Sequence, residues 1–395
     1  MSKKVRLGII GIGNMGGGHV ANICGGNCPE IELAAVADIN PNRLKSVIDM
    51  KVNNDGNEIK IFNDASEMIK SGTIDAVLVA VPHYDHPRYV IEALENGLHA
   101  MSEKPAGVYT EQVKQMNAVA AKHPELTFGM MFNQRTNPMY QTMKMMIDSG
   151  EMGAIRRTNW IITDWYRTQS YYDSGDWRAT WSGEGGGVLL NQCPHQLDLF
   201  QWVCGMPKKV YARLQFGKWH DIEVEDDVTA FVEYENGATG TFITTTGDTP
   251  GTNRFEVTCE KGKMIADENG LRVVKLEHSI DDYTYNKDSG AFSSPKIVFD
   301  GKVECKGYGL NHFGHIGILN SFAENILHGT PLLAPGVEGI NGLTLSNAMH
   351  LSQWLGREVE IPFDDALYKE ELMKRVATSR RKTDVREQVV TQWAK

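Results

Sequence analysis

Short, almost continuously apolar segments alternate with helix-like segments in the first third of the chain, and this alternation restricts the possible folds more than any other feature. Apolar runs of this kind are typical of parallel strands that helices cover on both faces, so we expect a doubly wound α/β sheet. The pattern predicts strands at Val5–Gly11, Ile31–Asp38, Ala76–Val81, His99–Lys104 and Thr127–Phe132. It predicts helices at His86–Asn96 and Tyr109–Lys122.

A different pattern begins near residue 150, where longer strand-like segments follow one another. The turn Glu235-Asn236-Gly237 between two of them predicts a hairpin, and successive hairpins indicate a large, open, mainly antiparallel sheet. The predicted strands are Arg156–Trp165, Lys209–Phe216, Val228–Tyr234, Ala238–Thr246, Phe255–Glu260 and Leu271–Glu277. Helices are predicted at Pro194–Val203, Phe313–His328 and Glu338–Leu355, and residues 279–311 are expected to be irregular.

The length of 395 residues favours two domains, and the change of pattern places them at 1–132 and 133–395. The net charge of −10 argues against nucleic acid or an anionic membrane as the main partner. No segment approaches the roughly 20 apolar residues of a membrane span, and the apolar run after the first lysines is too short for a secretory signal. We therefore expect a cytoplasmic protein. The six cysteines do not have the spacing of a zinc site, so we expect no metal.

A glycine-rich loop directly follows the first predicted strand and precedes a helix-like segment. Its sequence is GxGxxG, formed by Gly11, Ile12, Gly13, Asn14, Met15 and Gly16. In that context the glycines allow a tight turn and bring a pyrophosphate close to the free N–H groups at a helix N-terminus. The loop therefore predicts a dinucleotide site.

The end of the second predicted strand indicates which dinucleotide is bound. Asp38 stands there, 22 residues beyond Gly16, where a carboxylate accepts hydrogen bonds from the adenine-ribose diol and repels a 2′-phosphate. NAD is therefore favoured over NADP. Arg43 lies just beyond and either softens that preference or is a surface residue of the next helix.

Two further motifs carry candidate catalytic residues. Glu103-Lys104-Pro105 ends a predicted strand of the first sheet, and ligands bind beyond the carboxyl ends of such strands. A run of three glycines leads to Asn191 and then His195 at the start of a predicted helix, where a spacing of four residues places both on one face. We expect Lys104 and His195 to face one crevice from the two domains.

Together these motifs resemble the Gfo/Idh/MocA family, named for glucose–fructose oxidoreductase, inositol dehydrogenase and a rhizopine catabolism protein. The resemblance runs over nearly the whole chain, and the combination is far more specific than any single motif. Besides the glycine-rich loop and Glu103-Lys104-Pro105, the matching segments are Val81-Pro82-His83 with His86, Phe132-Asn133-Gln134-Arg135, Trp177-Arg178, Gly185-Gly186-Gly187 with His195 and Asp198, His315-Ile316-Gly317, Leu332-Leu333-Ala334-Pro335-Gly336 and Glu338-Gly339.

The resemblance implies a Rossmann domain followed by an α/β domain with a large open sheet, and it implies that Lys104 and His195 lie at the reacting carbon. Many members have an aspartate four residues before the histidine, where this chain has Asn191. An amide positions a hydroxyl but does not take up its proton as a carboxylate can. This departure puts more of the proton transfer on His195.

The resemblance also implies the remaining site residues. The expected cofactor contacts are Pro82, His83, His86, Glu103, Lys104, Asn133, Trp177 and Arg178, although His86 could instead begin the next helix. The expected substrate contacts are Lys104, Arg135, Tyr166, Asn191, His195 and His312. Asp198 either holds the imidazole of His195 or is a charge on the helix surface.

These residues predict hydride transfer between the hydroxyl of a sugar, glycoside or cyclic polyol and nicotinamide. His195 would take the hydroxyl proton near neutral pH, and the Lys104 cation would stabilise the developing alkoxide. Two alternatives remain: a glycoside-cleaving enzyme that recycles tightly bound NAD, and a catalytically silent NAD-sensing regulator. An open sheet needs a cover, so we expect a homodimer or homotetramer.

Overall fold

Parallel strands form the first sheet, as the apolar runs predicted. The computed structural model describes residues 4–50, 52–53, 55–380, 382 and 385. Within those residues the sheet has six strands, β1 (Val5–Ile10), β2 (Ile31–Ala37), β3 (Lys60–Phe62), β4 (Ala76–Val79), β5 (His99–Ser102) and β6 (Phe128–Met130). Their order is β3-β2-β1-β4-β5-β6, with every pair parallel.

Helices connect these strands and make the sheet doubly wound. They are α1 (Asn14–Cys24), α2 (Pro41–Met50), α3 (Ala65–Lys70), α4 (His86–Glu95) and α5 (Thr110–Ala120). The strand order reverses between β1 and β4, so a crevice opens beyond their carboxyl ends, where open α/β sheets bind ligands. The strand β3 was not predicted, because its three residues are too few to show a period.

The second sheet is mixed and mostly antiparallel. Its strands among the described residues are β7 (Ile155–Ile162), β8 (Lys209–Phe216), β9 (Glu225–Glu233), β10 (Thr239–Thr245), β11 (Asn253–Cys259), β12 (Gly262–Asp267), β13 (Gly270–Leu276), β14 (Ile297–Lys302) and β15 (Val359–Glu360). They follow the order β14-β13-β12-β11-β7-β10-β9-β8-β15, in which β7 and β10 are parallel and the other pairs antiparallel. The predicted hairpin between β9 and β10 is confirmed.

Helices of the same chain accompany this sheet, and some of them pack on its strands. A helix before the sheet, α6 (Pro138–Asp148), is followed by α7 (Gln169–Tyr172), α8 (Pro194–Cys204), α9 (Ile280–Thr284), α10 (Gly314–His328), α11 (Gly339–Leu355) and α12 (Asp365–Val376). The helix α11 packs on both β8 and α8. Residues 279–311, expected to be irregular, contain α9 and β14. No helix in the described part of the chain has the length and apolar character needed to cross a membrane.

The end of the chain packs back on the first sheet. Gly129 of β6 forms an isolated bridge with Pro335, and the hydroxyl of Thr110 on α5 donates a 2.7 Å hydrogen bond to Asp365 on α12. The side chain of Asn347 on α11 donates to the backbone oxygen of Val108. These contacts hold the two sheets together, with the crevice of the first sheet facing the second part of the chain.

Candidate active site

The glycine-rich loop has the geometry of a pyrophosphate cradle. Gly11 has φ +89°, and a Cβ there would lie 2.5 Å from the backbone oxygen of Ala80. A Cβ on Gly16 would lie 1.9 Å from the oxygen of Gly11, so both positions require glycine. Gly13 caps α1 without a side-chain hydrogen bond and has open space around it. The backbone at the start of α1 is therefore open to a ligand at Gly13, and a helix N-terminus of this kind fits the pyrophosphate of a dinucleotide.

Asp38 lies where the ribose of that dinucleotide would be expected. Its carboxylate accepts hydrogen bonds from the backbone N–H of Ile12 at 2.7 Å and of Asn40 at 2.8 Å. Each carboxylate oxygen retains acceptor capacity after one such bond. The neighbouring Arg43 is exposed on α2. The Asp38 carboxylate is thus fixed beside the glycine-rich loop.

The loop after β4 meets the second part of the chain through His83. This side chain is buried, its Nδ1 lies 3.1 Å from the backbone oxygen of Glu184, and its ring lies 5.6 Å from that of Trp177. Burial lowers the pKa of His83 well below its ordinary value. Pro82 directly precedes it and is exposed. His83 therefore lies where the loop after β4 meets the second part of the chain.

His86 has a different place from the predicted cofactor contact. It begins α4, and its two ring nitrogens lie 2.6 Å from the backbone oxygen of Pro105 and 2.7 Å from that of Val81. Both polar atoms of the ring are occupied, so the side chain joins two loops of the crevice and has no polar atom left for a cofactor. The alternative expectation, that His86 begins the next helix, is confirmed.

Lys104 leaves the carboxyl end of β5 and reaches across the crevice. Its Nζ donates a 2.7 Å hydrogen bond to the backbone oxygen of Asn191. Burial lowers its pKa, and the carboxylates of Glu103 and Glu184 partly oppose that effect. This hydrogen bond places the predicted lysine and the predicted asparagine together.

The preceding residue, Glu103, is buried against helix α1. His19 on that helix lies with its Nε2 2.7 Å from a carboxylate oxygen of Glu103. Burial alone would raise the Glu103 pKa, but the hydrogen bond and the charge of His19 outweigh it and lower the pKa to about 2. Glu103 therefore holds a negative charge directly beside Lys104.

Asn191 is partly exposed, and its side-chain amide donates a hydrogen bond to a carboxylate oxygen of Glu184. The other oxygen of that carboxylate accepts a 2.6 Å hydrogen bond from the backbone N–H of Ala179. Glu184 is 1% exposed, and burial raises its pKa to about 7 even though the Arg178 cation lowers it. Reasoning from the sequence missed Glu184, whose one signal was its place directly before the three glycines.

A buried carboxylate fixes the turn that carries Asn191. Glu225 accepts hydrogen bonds from the backbone N–H groups of Gly187 and Leu189 at 2.9 and 3.0 Å. It also lies 2.9 Å from the Nε2 of His350 on α11. The turn before α8 is therefore tied to both the sheet and a second helix.

His195 stands in the first turn of α8 and is 8% exposed. Burial, followed by the charge of Lys104, lowers its pKa to about 3. Its Nδ1 has no hydrogen-bond partner among the described residues. The imidazole is thus neutral at physiological pH, because its pKa lies well below the usual value of about 6.5.

Arg135 was expected to contact substrate, and Asp198 either to hold His195 or to lie on the helix surface, but the structure pairs the two residues with each other. The Arg135 guanidinium is 1% exposed and donates to the two oxygens of Asp198 at 2.8 and 2.7 Å. It also donates to Glu338 at 2.5 Å. The guanidinium and the two carboxylates form an ion-pair network, which links α8 to the 3₁₀ turn Asn133–Thr136. Pairing is the condition under which a buried arginine is tolerated.

Asn133 lies near His315, for which the sequence predicted no role of its own. Its side-chain Nδ2 is 3.1 Å from the Nε2 of His315 on α10, and the ring of His315 meets that of His19 at 5.5 Å. The Asn133 Oδ1 and the Gln192 Oε1 are buried with no hydrogen-bond partner among the described residues. Unpartnered buried polar atoms at one crevice are consistent with a bound polar ligand.

The remaining predicted contacts divide into two groups. Trp177 and Arg178 lie together, with the guanidinium 4.6 Å from the indole centroid and 3.0 Å from the hydroxyl of Tyr171. Tyr166 and His312 are exposed, and none of the contacts of the described residues joins either one to Lys104 or His195. The structure therefore places Trp177 beside His83 at the crevice and leaves Tyr166 and His312 exposed.

The sequence matches two family models. One describes an oxidoreductase family with an NAD-binding Rossmann fold and matches residues 5–130. The other describes a GFO/IDH/MocA C-terminal domain and matches residues 140–265.

Individual relatives agree with this match. The chain is 26% identical over 285 residues to the uncharacterized oxidoreductase YrbE of Bacillus subtilis (strain 168), covering 70% of this chain and 77% of that protein. It is 27% identical over 254 residues to the D-glucoside 3-dehydrogenase of Escherichia coli (strain K12), covering 60% of this chain and 68% of that one. Among solved structures, the WlbA dehydrogenase of Chromobacterium violaceum in complex with NADH and UDP-GlcNAcA has a TM-score of 0.75 at 25% identity, covering 92% and 98% of the two chains. The chain therefore belongs to the Gfo/Idh/MocA family of NAD-binding oxidoreductases.

Proposed function

We propose that this protein oxidises a CH–OH group of a sugar, glycoside or cyclic polyol with NAD, or runs the reverse reaction. The observation that carries the proposal is the convergence of Lys104 and His195 at one crevice, from the first sheet and from α8. The Lys104 ammonium bonds to the residue four positions before His195, and its charge lowers the pKa of that histidine. A cation and a neutral imidazole around one point are what a reacting hydroxyl needs.

The chain's own residues would act on the proton and on the charge of the hydroxyl. Neutral His195 accepts the hydroxyl proton, and charged Lys104 stabilises the alkoxide character that develops on the same oxygen. Bound NAD would supply the acceptor for the hydride. Because His195 is buried, water is kept from the imidazole during the transfer.

The cofactor would be NAD rather than NADP. The loop from Gly11 to Gly16 would hold the pyrophosphate, and Asp38 would accept the ribose hydroxyls. His83, Asn133, Trp177 and Arg178 would line the nicotinamide end.

A screen for NADH fluorescence against sugars, glycosides and inositols tests this function. Turnover of a hydroxyl-bearing compound would accumulate NADH in excess of the protein. Cleavage of a glycoside without NADH accumulation would indicate recycling of bound NAD, and binding of NAD without turnover of any compound would indicate a regulator. Either result would contradict the proposal.

We also infer a homodimer or homotetramer that works in the cytoplasm. The outer face of the second sheet presents Tyr211 and Phe231, which are paired across β8 and β9 and are 42% and 41% exposed. Adjacent exposed aromatic side chains favour a protein interface. None of the six cysteines, all of which lie in the described part of the chain, forms a disulfide, as is typical of a reducing compartment. We propose that residues 1–132 form the first domain and residues 133–395 the second.

A further inference from the structure

We propose that Glu184 is a positioning residue whose protonation state sets whether the Asn191 side chain offers the substrate a hydrogen-bond acceptor or a donor. The substrate side of this inference rests on the function proposed above, whereas the titration of Glu184 does not. The argument starts from the contacts of the two side chains.

Glu184 and Asn191 form a closed pair beside Lys104. The Glu184 carboxylate is buried and is held on one side by the backbone N–H of Ala179. On the other side it accepts from the Nδ2 of Asn191. The backbone oxygen of the same Asn191 accepts from the Nζ of Lys104. Asn191 therefore connects Glu184 to Lys104, which lies at the predicted reacting centre.

A side-chain amide has one face that accepts hydrogen bonds and one that donates them. While Glu184 is a carboxylate, it can only accept, so the Nδ2 of Asn191 is turned toward it. The Oδ1 is then the polar atom that Asn191 presents to a ligand. Once Glu184 is protonated, its O–H needs an acceptor, and the amide flips to supply Oδ1. The Nδ2 donor then faces the ligand.

The two orientations of the Asn191 amide match the two forms of the substrate, the alcohol and the ketone. An acceptor at Asn191 binds a hydroxyl group that donates, whereas a donor binds a carbonyl oxygen. The carboxylate state of Glu184 therefore favours the alcohol, and the protonated state favours the ketone.

The surroundings of Glu184 place this change near neutral pH. Burial raises its pKa to about 7, Arg178 opposes that effect, and Glu225 adds to it. The charge of Glu184 in turn raises the pKa values of Lys104 and Tyr172. An aspartate at position 191 would add a second negative charge beside the carboxyl and raise its pKa further.

The first experiment needs neither cofactor nor substrate. Infrared difference spectra of the protein, titrated from mildly acidic to mildly alkaline pH, follow the carbonyl band of protonated carboxyl groups. We expect one carboxyl to lose its proton with a midpoint of about 7, and Glu184→Gln to remove that band. Glu151→Gln, which changes a carboxyl in a surface ion pair with Lys275, should leave it unchanged. If the band persists in Glu184→Gln, the proposal is wrong.

A second variant, Asn191→Asp, tests the proposal if Glu184→Gln does not fold. Asn191→Asp should move the midpoint upward by about one pH unit or more, because two like charges share the site. An unchanged midpoint in Asn191→Asp would show that the two side chains are not coupled and would overturn the proposal.

The second experiment uses the alcohol that produces NADH in the screen, together with its ketone product. In the unmodified enzyme the KM of the alcohol should rise by up to about tenfold per unit as pH falls below the midpoint, while the inhibition constant of the ketone falls. Both trends should be flat in Glu184→Gln, since glutamine can turn either face to Asn191. Parallel pH trends for alcohol and ketone would contradict the switch, even if the infrared titration succeeds. Failure of every compound in the screen would instead contradict the proposed function and leave the infrared result standing.

Discussion

The Nζ of Lys104, at the end of the first sheet, donates a 2.7 Å hydrogen bond to the backbone oxygen of Asn191, in the turn before α8. This bond fixes the distance between the two halves of the crevice at the point where chemistry is expected. It also leaves the lysine with further N–H groups for a substrate oxygen.

Lys104→Met tests the charge at this point. Methionine keeps an unbranched stem of similar size and removes the ammonium, so the variant should lose about 10²–10³-fold in kcat through lost stabilisation of the alkoxide. The rate of NADH formation on a confirmed substrate measures this loss. Lys114→Met, which breaks an exposed ion pair with Asp365, serves as the control and should keep normal turnover. A normal kcat in Lys104→Met would remove the lysine from the mechanism.

His195→Ala tests the proton acceptor and its pH dependence. The variant should lower kcat by roughly 10²–10⁴-fold. Because the pKa of His195 is about 3, the imidazole is already neutral at mildly acidic pH. Any change of rate near neutrality should therefore remain in the variant. A pH profile of the residual rate checks this, and loss of that change in His195→Ala would show that the histidine titrates near neutrality after all.

Asp38→Ala tests the choice of cofactor. The carboxylate that accepts from the ribose hydroxyls would be lost, so NAD should bind about 10–100-fold more weakly, as expected for one hydrogen bond to a charged group. The gap between NAD and NADP should narrow, because a 2′-phosphate would no longer be repelled. Calorimetric titrations of both cofactors measure the two affinities. Preference of the unmodified protein for NADP would contradict the assignment.

Arg135→Met tests the correction made for this residue. Removing the guanidinium leaves Asp198 buried without its partner, which should lower the free energy of unfolding by about 3–5 kcal/mol. Urea denaturation measures the change. Arg272→Met, which breaks the exposed pair with Asp300, should cost about 0–1 kcal/mol. Similar losses in the two variants would mean that the buried network contributes no more than a surface pair.

The exposed aromatic face of the second sheet leads to a prediction about assembly. Light scattering of the unmodified protein at micromolar concentration should give the mass of a dimer or tetramer. Phe231→Lys should shift the mass toward the monomer, because a charge would be buried in the interface. A replacement far from this aromatic pair in the strand order, such as Lys302→Glu at the end of β14, should leave the mass unchanged. A monomeric unmodified protein would refute the assembly.

Local patterns in the sequence were enough to predict the framework of the site. The glycine-rich loop, Asp38, Lys104 and His195 each follow a strand or begin a helix that a short segment could reveal. Their predicted roles depend on their place at the end of a strand or the start of a helix. The periodicity of neighbouring residues is enough to show that place. The doubly wound sheet and the larger open sheet could be predicted for the same reason.

The partners of buried charges could not be predicted in this way. Arg135 is 63 residues from Asp198 in the chain, and nothing near either residue shows that they meet. The same holds for His19 and Glu103, which are 84 residues apart. Burial selects such pairs after the chain has folded, because an unpaired buried charge is far less stable than a paired one.

The sequence by itself therefore determined the fold class, the family and the motifs that carry Lys104 and His195, because these depend on periodicity and on motifs of a few residues. Only the tertiary structure decided which ionisable groups titrate near neutrality. Burial lowers the pKa of His195 to about 3 and raises that of Glu184 to about 7. A pKa reflects the loss of water and the charges that surround a group in three dimensions. Those surroundings come from distant segments, so they exist only once the two sheets have packed together.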